Sequence, residues 1–553
     1  MERSEQVDGH HTAVSPAGRF IACIANNNSN NNSNNNKLRI SYAHAPARST
    51  DFTIRLPGKD VSSIRWSRND NYIALCSPKQ IEVINLDDPA HRIRLDNGTA
   101  GLGKFQCADF VGSSHLLTLW EFGRAKIWDL TTAKGTDLGD LKTIADGRPW
   151  QIRPVGASIR PVALLSRQAA DDHLTVLFPT SENPLQSAKI ATTDAQALSW
   201  SPDGRWIAVI DTPTAATSIH FFTPDGPFRT YPSNPSVDHF GLGIKSLAWS
   251  GDSRLIALSK FDGKVVLLNT RTFTPLAVIE HTTTIDQSSL PADQQAIIWQ
   301  ETVSASHDRS YISSPQPASP PLSKARASVE PSELGVAEAT FNNNGSFLAT
   351  RDERMLSTIW IWSMATWSAH TIITQHTNVR KMHWHPHHPD IIMFDCGEGL
   401  AYLFDASNII TPPIPIKTTV PGSPSLAWLP STPGRKSAIL AATRSAFKIL
   451  YPDGPDQSSL GTSISKPKPA RSRPESPVFD EGASDDSLLA LLSGRKPMPE
   501  KTQPSYTERM DLETELADAK DDESERLDDT FQGKRKLHSE ADEIDPLDDS
   551  QIF

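Results

Sequence analysis

Short apolar segments separated by polar turns recur along most of the chain, and the clearest set lies within residues 241–269. Small and polar residues form one turn (SGDSR), and Asp-Gly, a dipeptide typical of tight hairpins, forms the other (FDGK). The pattern predicts three strands, at residues 246–249, 255–259 and 265–269. Such a meander has two apolar faces and is stable only beside other strands, so we expect copies of it elsewhere.

Eight further segments repeat this pattern. They begin near residues 11, 64, 107, 161, 198, 339, 382 and 425. The fourth copy is degraded, with strand patterns at residues 161–165 and 174–178 but an untypical turn between them. Seven copies carry an aromatic residue just before the turn: Trp66, Phe110, Trp200, Trp249, Phe341, Trp384 and Trp428. Their spacing is about 44 residues, or about twice that across the fourth copy and across an insertion, which indicates nine units in total.

A unit of this length matches a four-stranded propeller blade. Closing the units into a ring buries both faces of every meander and leaves only short edges exposed. The sequence therefore predicts an all-β propeller over residues 1–452, forming one closed ring of eight or nine blades. It does not show how the ring closes, and nine units are too few for two seven-bladed rings.

Three segments fall outside this pattern. Residues 26–36 contain only Asn and Ser, and residues 304–333 are rich in Ser and Pro, so we expect disordered insertions there. Residues 453–553 carry 25 acidic and 13 basic residues, which gives this segment a net charge of −12. The whole chain has a net charge of −11, so nearly all of its excess negative charge lies here. This segment is predicted to be a disordered acidic tail, with short helical patterns at residues 486–492 and 505–520. The propeller region is near neutral, which does not favour a nucleic-acid partner.

Several residue groups invite a chemical interpretation, and we weigh each against a structural one. Residues 241–246 (GLGIKS) resemble a shortened phosphate-binding loop, but the spacing is wrong and a strand follows. His383, His385, His387 and His388 cluster near Cys396, although they occupy a strand end and a turn rather than a converging metal site. The four cysteines lack close spacing and are expected to be buried reduced thiols. We predict no catalytic, metal or cofactor-binding residues.

Targeting and modification signals are sparse. The N-terminus has no apolar signal-peptide stretch and no apolar run reaches transmembrane length, so the expectation is a soluble intracellular protein without a membrane partner. Residues 534–536 (KRK) form a weak basic motif within the acidic tail. Ser314, Ser319 and Ser476 each precede a proline in segments predicted to be disordered, where phosphorylation is plausible.

The order of the repeats and their sequence motifs resemble those of a family of WD-repeat proteins found at centrosomes and spindle pole bodies. The resemblance covers residues 9–452 and rests on the motifs LGIKSLAWS, FDGKVVLLN, FLATR, IWIW and LSWSPDGRWIAVID, and on the position of the insertion after the sixth unit. It implies a non-catalytic scaffold at the microtubule-organising centre. Members anchor microtubule minus ends through a coiled-coil protein and a minus-end-directed kinesin.

Two alternatives remain open. A substrate receptor of a ubiquitin ligase often carries Trp-Asp-x-Arg after a repeat, whereas Trp128-Asp129-Leu130 is followed here by Thr131. A translation-associated WD-repeat adaptor would need basic segments to neutralise RNA phosphates, and the tail here is acidic. Affinity purification from mitotic cells, with the bound proteins identified by mass spectrometry, separates these three functions.

Overall fold

A computed structural model describes residues 2–454 except for short gaps, and the acidic tail lies outside the described residues. The gaps are residues 26–36, 55–59, 97–102, 145–147, 157–159, 180–184, 213–218, 225–230, 233–242, 292–293, 324–333 and 431–435. The expected disorder of residues 26–36 and 453–553, the helical patterns and the basic motif of the tail, and Ser476 therefore remain predictions. All described strands belong to one compact unit, Met1–Ser463.

The described strands form nine sheets, which we number as blades 1–9 in chain order; eight are antiparallel, and blade 7 also contains one parallel pair. In blades 1–6 and blade 8 the first strand is innermost and the fourth is outermost. Blades 1–3 comprise β3–β6 (His10–Val14, Phe20–Ala25, Lys37–Tyr42, Ala45–Thr53), β7–β10 (Ser63–Trp66, Tyr72–Cys76, Gln80–Asn85, Arg92–Asp96) and β11–β14 (Phe105–Val111, His115–Trp120, Arg124–Asp129, Lys134–Asp140). Blades 4–6 comprise β15–β18 (Trp150–Ile152, Val162–Gln168, Asp171–Leu177, Leu185–Lys189), β19–β22 (Ala197–Trp200, Ile207–Ile210, Ile219–Phe222, Tyr231–Pro232) and β23–β26 (Ile244–Trp249, Leu255–Lys260, Lys264–Asn269, Pro275–Glu280).

The last three blades include two departures from the four-stranded plan. Blade 7 has six strands, with β27 and β28 (Ile297–Val303, Arg309–Ser313) added outside β29–β32 (Val336–Phe341, Phe347–Asp352, Thr358–Ser363, Ser368–Thr374). Blade 8 comprises β33–β36 (Lys381–Trp384, Ile391–Asp395, Leu400–Asp405, Ile414–Lys417). Blade 9 combines β37–β39 (Ser425–Trp428, Ile439–Ala442, Ala446–Tyr451) with the N-terminal strands β1 and β2 (Glu2–Arg3, Val7–Asp8). Two 3-10 turns occur at Glu121–Gly123 and Glu353–Met355.

Nine hydrophobic clusters lie between successive blades, and the ninth joins blade 9 to blade 1. The packing of strand β4 on both of its faces explains why its sequence is apolar throughout. Ala22 and Ile24 pack against blade 2, while Ile21 and Cys23 pack against blade 9. Both faces of the blade are therefore buried, as radial stacking requires. The predicted single closed propeller is confirmed, with nine blades.

The periodic aromatic residues connect neighbouring blades by hydrogen bonds. The indole Nε1 of Trp66 donates to the Ala13 carbonyl of blade 1 at 3.1 Å, and Trp384 donates to the Thr340 carbonyl of blade 7 at 2.9 Å. Trp200 and Trp428 donate in the same way to carbonyls of the preceding blade at 3.0 and 3.1 Å, and Trp249 donates to Ser199 Oγ of blade 5 at 3.0 Å. The spacing that indicates nine units in the sequence is thus the spacing of contacts around the ring.

The closing contact between blades 9 and 1 is built differently, because Val14 occupies the aromatic position in blade 1. Val7 and Asp8 pair with Phe447 and Ala446 of β39, so the N-terminus completes the last blade. Gly18, with a φ of +67°, allows the backbone of the first turn to lie against the Pro430 carbonyl, which is 1.7 Å from where a Cβ would stand.

Two elements differ from the sequence expectation. Trp150–Ile152 is the inner strand of blade 4; the predicted strands at 161–165 and 174–178 are its second and third strands. Three residues are too few to show a two-residue period. Residues 304–323 of the expected disordered insertion are described and contain β28, whereas residues 324–333 are not described. Strand β28 forms because β27 pairs with β32 in parallel and offers its free edge.

The turn of blade 5 provides a test of backbone geometry. Gly204 has a φ of +69°, as the SPDGR turn predicts, and an added Cβ would lie 2.7 Å from Nε of Arg153. We expect Gly204→Val to lower the free energy of unfolding by roughly 1–3 kcal/mol, since a β-branched residue resists this conformation. Urea unfolding measures the effect. Gly204→Asn is the control, because Asn tolerates positive φ, and equal losses for both variants would contradict the dihedral explanation.

Candidate protein-interaction surface

The ring has two faces of different construction. The turn between the first and second strands of each blade lies on one face, which we call the turn face. The turn between the second and third strands lies at the opposite end of the strands, together with the connections between blades, and we call this the connector face. Loops held by such a rigid scaffold commonly carry binding residues.

Buried serine side chains hold the turns of the turn face. Ser201 Oγ accepts a hydrogen bond from the Trp206 backbone N–H at 3.0 Å, and Ser250 Oγ accepts one from Leu255 at 2.9 Å. Neighbouring turns also bond to each other, since the Asp203 backbone N–H donates to Ser253 Oγ at 3.0 Å. These bonds fix the turns of blades 5 and 6 and join them to each other.

The histidine cluster belongs to this same turn system. His385 stands where other repeats have serine, and its Nδ1 accepts hydrogen bonds from the backbone N–H groups of His387 and His388 at 3.0 and 2.8 Å. Its Nε2 donates to Ser437 Oγ of blade 9 at 2.5 Å. Both ring nitrogens are therefore occupied by structural bonds. Among the described residues, no group of three or more His, Cys, Asp or Glu side chains could hold a metal ion.

Burial and the neighbouring histidines lower the pKa of His385 to about 4, and burial lowers the pKa of His281. The unfolded chain therefore binds protons below pH 6.5 that the folded chain does not. We expect stability to fall as pH decreases from about 6.5 towards 4, by roughly 1.4 kcal/mol per pH unit for each such histidine. Urea midpoints measured across this range test the sign.

His385→Ser is the matched variant for this effect, because serine occupies the corresponding position in blades 1, 2, 5 and 6. It should make the pH dependence shallower by the contribution of one histidine. A variant with the unchanged pH slope would show that His385 is not protonated on unfolding in this range.

The glycine-rich segment does not form a phosphate loop in the described residues. Gly241 and Leu242 lie outside them, and Ile244–Trp249 is the inner strand of blade 6 rather than the start of a helix. The Lys245 ammonium pairs with the Glu353 carboxylate of blade 7 and lies 5.1 Å from the centre of the Phe261 ring. This lysine is thus a contact between blades.

A cavity of about 1020 Å³ lies among the inner strands of blades 3–6. Its charged groups are already engaged. Asp109 accepts hydrogen bonds from Arg148 and from Trp150 Nε1, and the Asp211 carboxylate accepts from the backbone N–H groups of Thr193 and Asp194 at 2.7 Å. These hydrogen bonds therefore stabilise the wall of the cavity and do not present an acid–base pair.

A chain of hydrogen bonds joins blades 6 and 7 at the connector face. Trp362 Nε1 donates to Thr350 Oγ1 at 2.8 Å, and Thr350 Oγ1 is 2.7 Å from His281 Nε2. His281 Nδ1 lies 2.8 Å from the Gly263 carbonyl and must donate to it. Neutral His281 therefore accepts at Nε2, and all four groups are satisfied within the protein interior.

The Trp-Asp pair of blade 3 has a related role. Trp128 Nε1 donates to Thr118 Oγ1 at 3.0 Å, and the Asp129 carboxylate accepts hydrogen bonds from Thr131 and Thr132 in the following turn. These bonds lower the pKa of Asp129 to about 2. The pair thus organises its own blade.

The cysteines occupy interior positions. Cys23, Cys76 and Cys396 are buried, Cys107 is half-buried, and each has a free thiol. Burial raises the pKa of Cys23 and Cys107 to about 11 and that of Cys76 to about 12. They therefore act as small apolar side chains. No helix of the described residues is long and apolar enough to span a bilayer.

Comparisons with known proteins agree with this architecture. No family model matches the chain. It is 25% identical over 380 residues to the WD repeat-containing protein WRAP73 of Mus musculus, covering 64% of this chain and 78% of that protein. It is 26% identical over 284 residues to an uncharacterised WD repeat-containing protein of Schizosaccharomyces pombe, covering 50% and 55% respectively. The chain is a WD-repeat β-propeller.

The propeller also resembles solved structures. A crystal structure of a eukaryotic initiation factor covers 74% of this chain and 88% of its own, with 10% identity and a TM-score of 0.46. WD-repeat propellers are generally non-catalytic scaffolds. Rigid loops commonly carry binding residues, and the connector face of this ring presents an exposed aromatic side chain.

Sequence reasoning missed one residue of that face. Phe122 lies at the tip of the turn between β12 and β13, and its side chain is 76% exposed. The signal is present in the sequence: EFGR in blade 3 has an aromatic residue where FDGK in blade 6 has Asp262. Recognising this difference requires that the two turns be aligned residue by residue, and only the pairing of the strands gives that alignment.

Proposed function

We propose that this protein is a scaffold of the microtubule-organising centre, which anchors microtubule minus ends through a coiled-coil partner and a minus-end-directed kinesin. The carrying observation is a closed ring in which the carboxylates that line the cavity, Asp109 and Asp211, are bonded within the protein, so that rigid loops at its surface are left to bind a partner. The motif-level resemblance over residues 9–452 supports the location. The similarity to WRAP73 supports the WD-repeat class.

Under this proposal the ring binds the coiled-coil partner and the acidic tail is dispensable for that contact. The described strands end at Tyr451, within the compact unit that ends at Ser463. The resemblance to the centrosomal family also ends near that point. A fragment of residues 1–455 therefore retains every described strand and should fold as the whole chain does.

Imaging of tagged fragments in dividing cells tests this division of roles. Residues 1–455 should concentrate at the spindle poles, and residues 453–553 should remain dispersed. Polar localisation of the tail fragment alone would overturn the proposal. Affinity purification of the whole chain from mitotic cells is the companion experiment, because recovery of ubiquitin-ligase subunits or of ribosomal proteins would favour one of the other two functions.

A further inference from the structure

The turn of blade 3 on the connector face presents an aromatic side chain in an unusual backbone conformation. Phe122 has a φ of +63° and a ψ of +24°, and the next residue, Gly123, has a φ of +76°. Left-handed dihedrals are common for Gly and Asn, but a bulky side chain adopts them only against a steric penalty. The exposed phenyl ring also forgoes the free energy of burial.

The equivalent turn of blade 6 shows the arrangement that serves the fold. There Asp262 lies at the tip and pairs with Lys260 at 3.1 Å, while the preceding Phe261 packs beside Lys245. In blade 3 the two residue types are exchanged: the acidic residue comes first, and the aromatic residue lies at the tip. The Glu121 carboxylate accepts a hydrogen bond from the Lys104 backbone N–H at 2.9 Å, and the aromatic residue points to solvent.

The turn is held rigid although its tip is exposed. The Glu121 backbone N–H donates to the Lys104 carbonyl at 2.9 Å, and the Leu141 backbone N–H donates to the Gly123 carbonyl at 2.7 Å. These bonds connect the turn to the chain segments that enter and leave blade 3. A partner would therefore meet a phenyl ring that is already positioned, with little conformational entropy left to lose.

The surrounding charges indicate which class of partner fits. Exposed Lys104 is bonded to Glu121 of the same turn, exposed Arg124 follows two residues after Phe122, and Asp140 lies opposite Arg124 in the neighbouring strand. The rim thus contains both signs of charge, as do the polar rims around aromatic anchors in protein interfaces. An anionic membrane or a nucleic acid would instead favour a uniformly basic rim.

From this geometry we propose that Phe122 is the anchor of a protein-binding site on the connector face of blade 3, where it inserts into an apolar pocket of the partner. The inference deepens the proposed function, on which it rests for the partner's identity: the pocket belongs to a helical coiled-coil segment. The exposed phenyl ring, which the turn holds in position, becomes buried when the pocket closes over it.

The first test compares two variants of the full-length chain. Phe122→Asn places a residue that favours left-handed dihedrals at the tip, so the melting temperature should stay the same or rise while localisation to the spindle poles is lost. Ile410→Asn is the control, because Ile410 is 78% exposed on a turn-face loop; this variant should localise normally. A lower melting temperature for Phe122→Asn, or poles labelled as strongly as with the wild type, would overturn the inference.

The second test identifies what contacts the ring. A photoreactive benzoylphenylalanine at position 122 of the full chain, activated in mitotic cells, should yield a conjugate with a coiled-coil protein. Binding of that protein, once purified, should weaken about 30-fold with Phe122→Asn, as expected for an aromatic anchor. A conjugate formed only with a second copy of this chain, only with lipid, or with nothing would contradict the site.

These readouts separate the inference from the proposed function. Absence of the wild-type chain from the spindle poles would contradict the proposed function. In that case the crosslinking result by itself still tests whether Phe122 is a binding site. A conjugate with a protein elsewhere in the cell, whose binding weakens 30-fold in Phe122→Asn, would support the site and reassign its partner.

Discussion

Removal of residues 2–8 is expected to cause a large loss of stability, because these residues supply the outer strand of blade 9. Glu2 and Arg3 pair with Tyr451 and Leu450, and the Ser4 backbone N–H donates to the Ile449 carbonyl at 2.8 Å. Losing this pairing and the burial of Val7 should lower the free energy of unfolding by about 3–6 kcal/mol. Urea unfolding monitored by tryptophan fluorescence measures the change.

The deletion should also promote self-association, because it exposes the edge of β39 to other chains. Shortening residues 26–36 by the same number of residues is the matched control. That segment joins β4 to β5, and loop length changes stability only weakly, so a shift within about 0.5 kcal/mol is expected. Equal effects of the two deletions would show that the N-terminal strands do not close the ring.

His281→Ala should produce the largest effect of a single substitution at the interface of blades 6 and 7. The side chain is 2% exposed, and its two nitrogens bond to Gly263 and Thr350. Its removal leaves a cavity beside Trp360 and Trp362, whose rings are 5.4 and 5.5 Å from the imidazole. Cavity formation and the lost hydrogen bonds should together cost about 3–5 kcal/mol.

Chemical denaturation of the purified variant gives this value. His91→Ala is the control, since His91 is exposed and its side chain has no hydrogen bond described, and we expect a change within about 0.5 kcal/mol. Thr350→Ser keeps the hydroxyl group and should retain most of the stability that Thr350→Val loses. If the serine and valine variants are equally unstable, packing rather than the hydrogen-bond chain explains the role of this site.

Much of the fold follows from local patterns. The strands predicted at residues 246–249, 255–259 and 265–269 are β23–β25, each extended by one or two residues in the structure. Strands β24 and β25 are recognisable because both faces of the blade are buried, so these second and third strands are apolar along most of their length.

The histidine cluster shows how a local pattern can suggest chemistry that the fold does not build. His383 lies on an inner strand, while His385 caps the turn that follows it. A metal ligand needs a ring nitrogen with a free lone pair, and both ring nitrogens of His385 are engaged in structural hydrogen bonds. The serine-like role of His385 became visible only through its bonds to the next turn and to Ser437.

The sequence by itself determined the repeat, the number of units and the all-β class, because apolar periodicity and turn chemistry are encoded within about 44 residues. Ring closure, the six strands of blade 7 and the exposure of Phe122 were decided only by the tertiary structure. Each depends on contacts between distant parts of the chain: β1 and β2 with β39, β27 with β32, and the turn of blade 3 with the segments beside it. The physical reason is that edge pairing and exposure are properties of the assembled ring, whereas strand formation depends on local sequence.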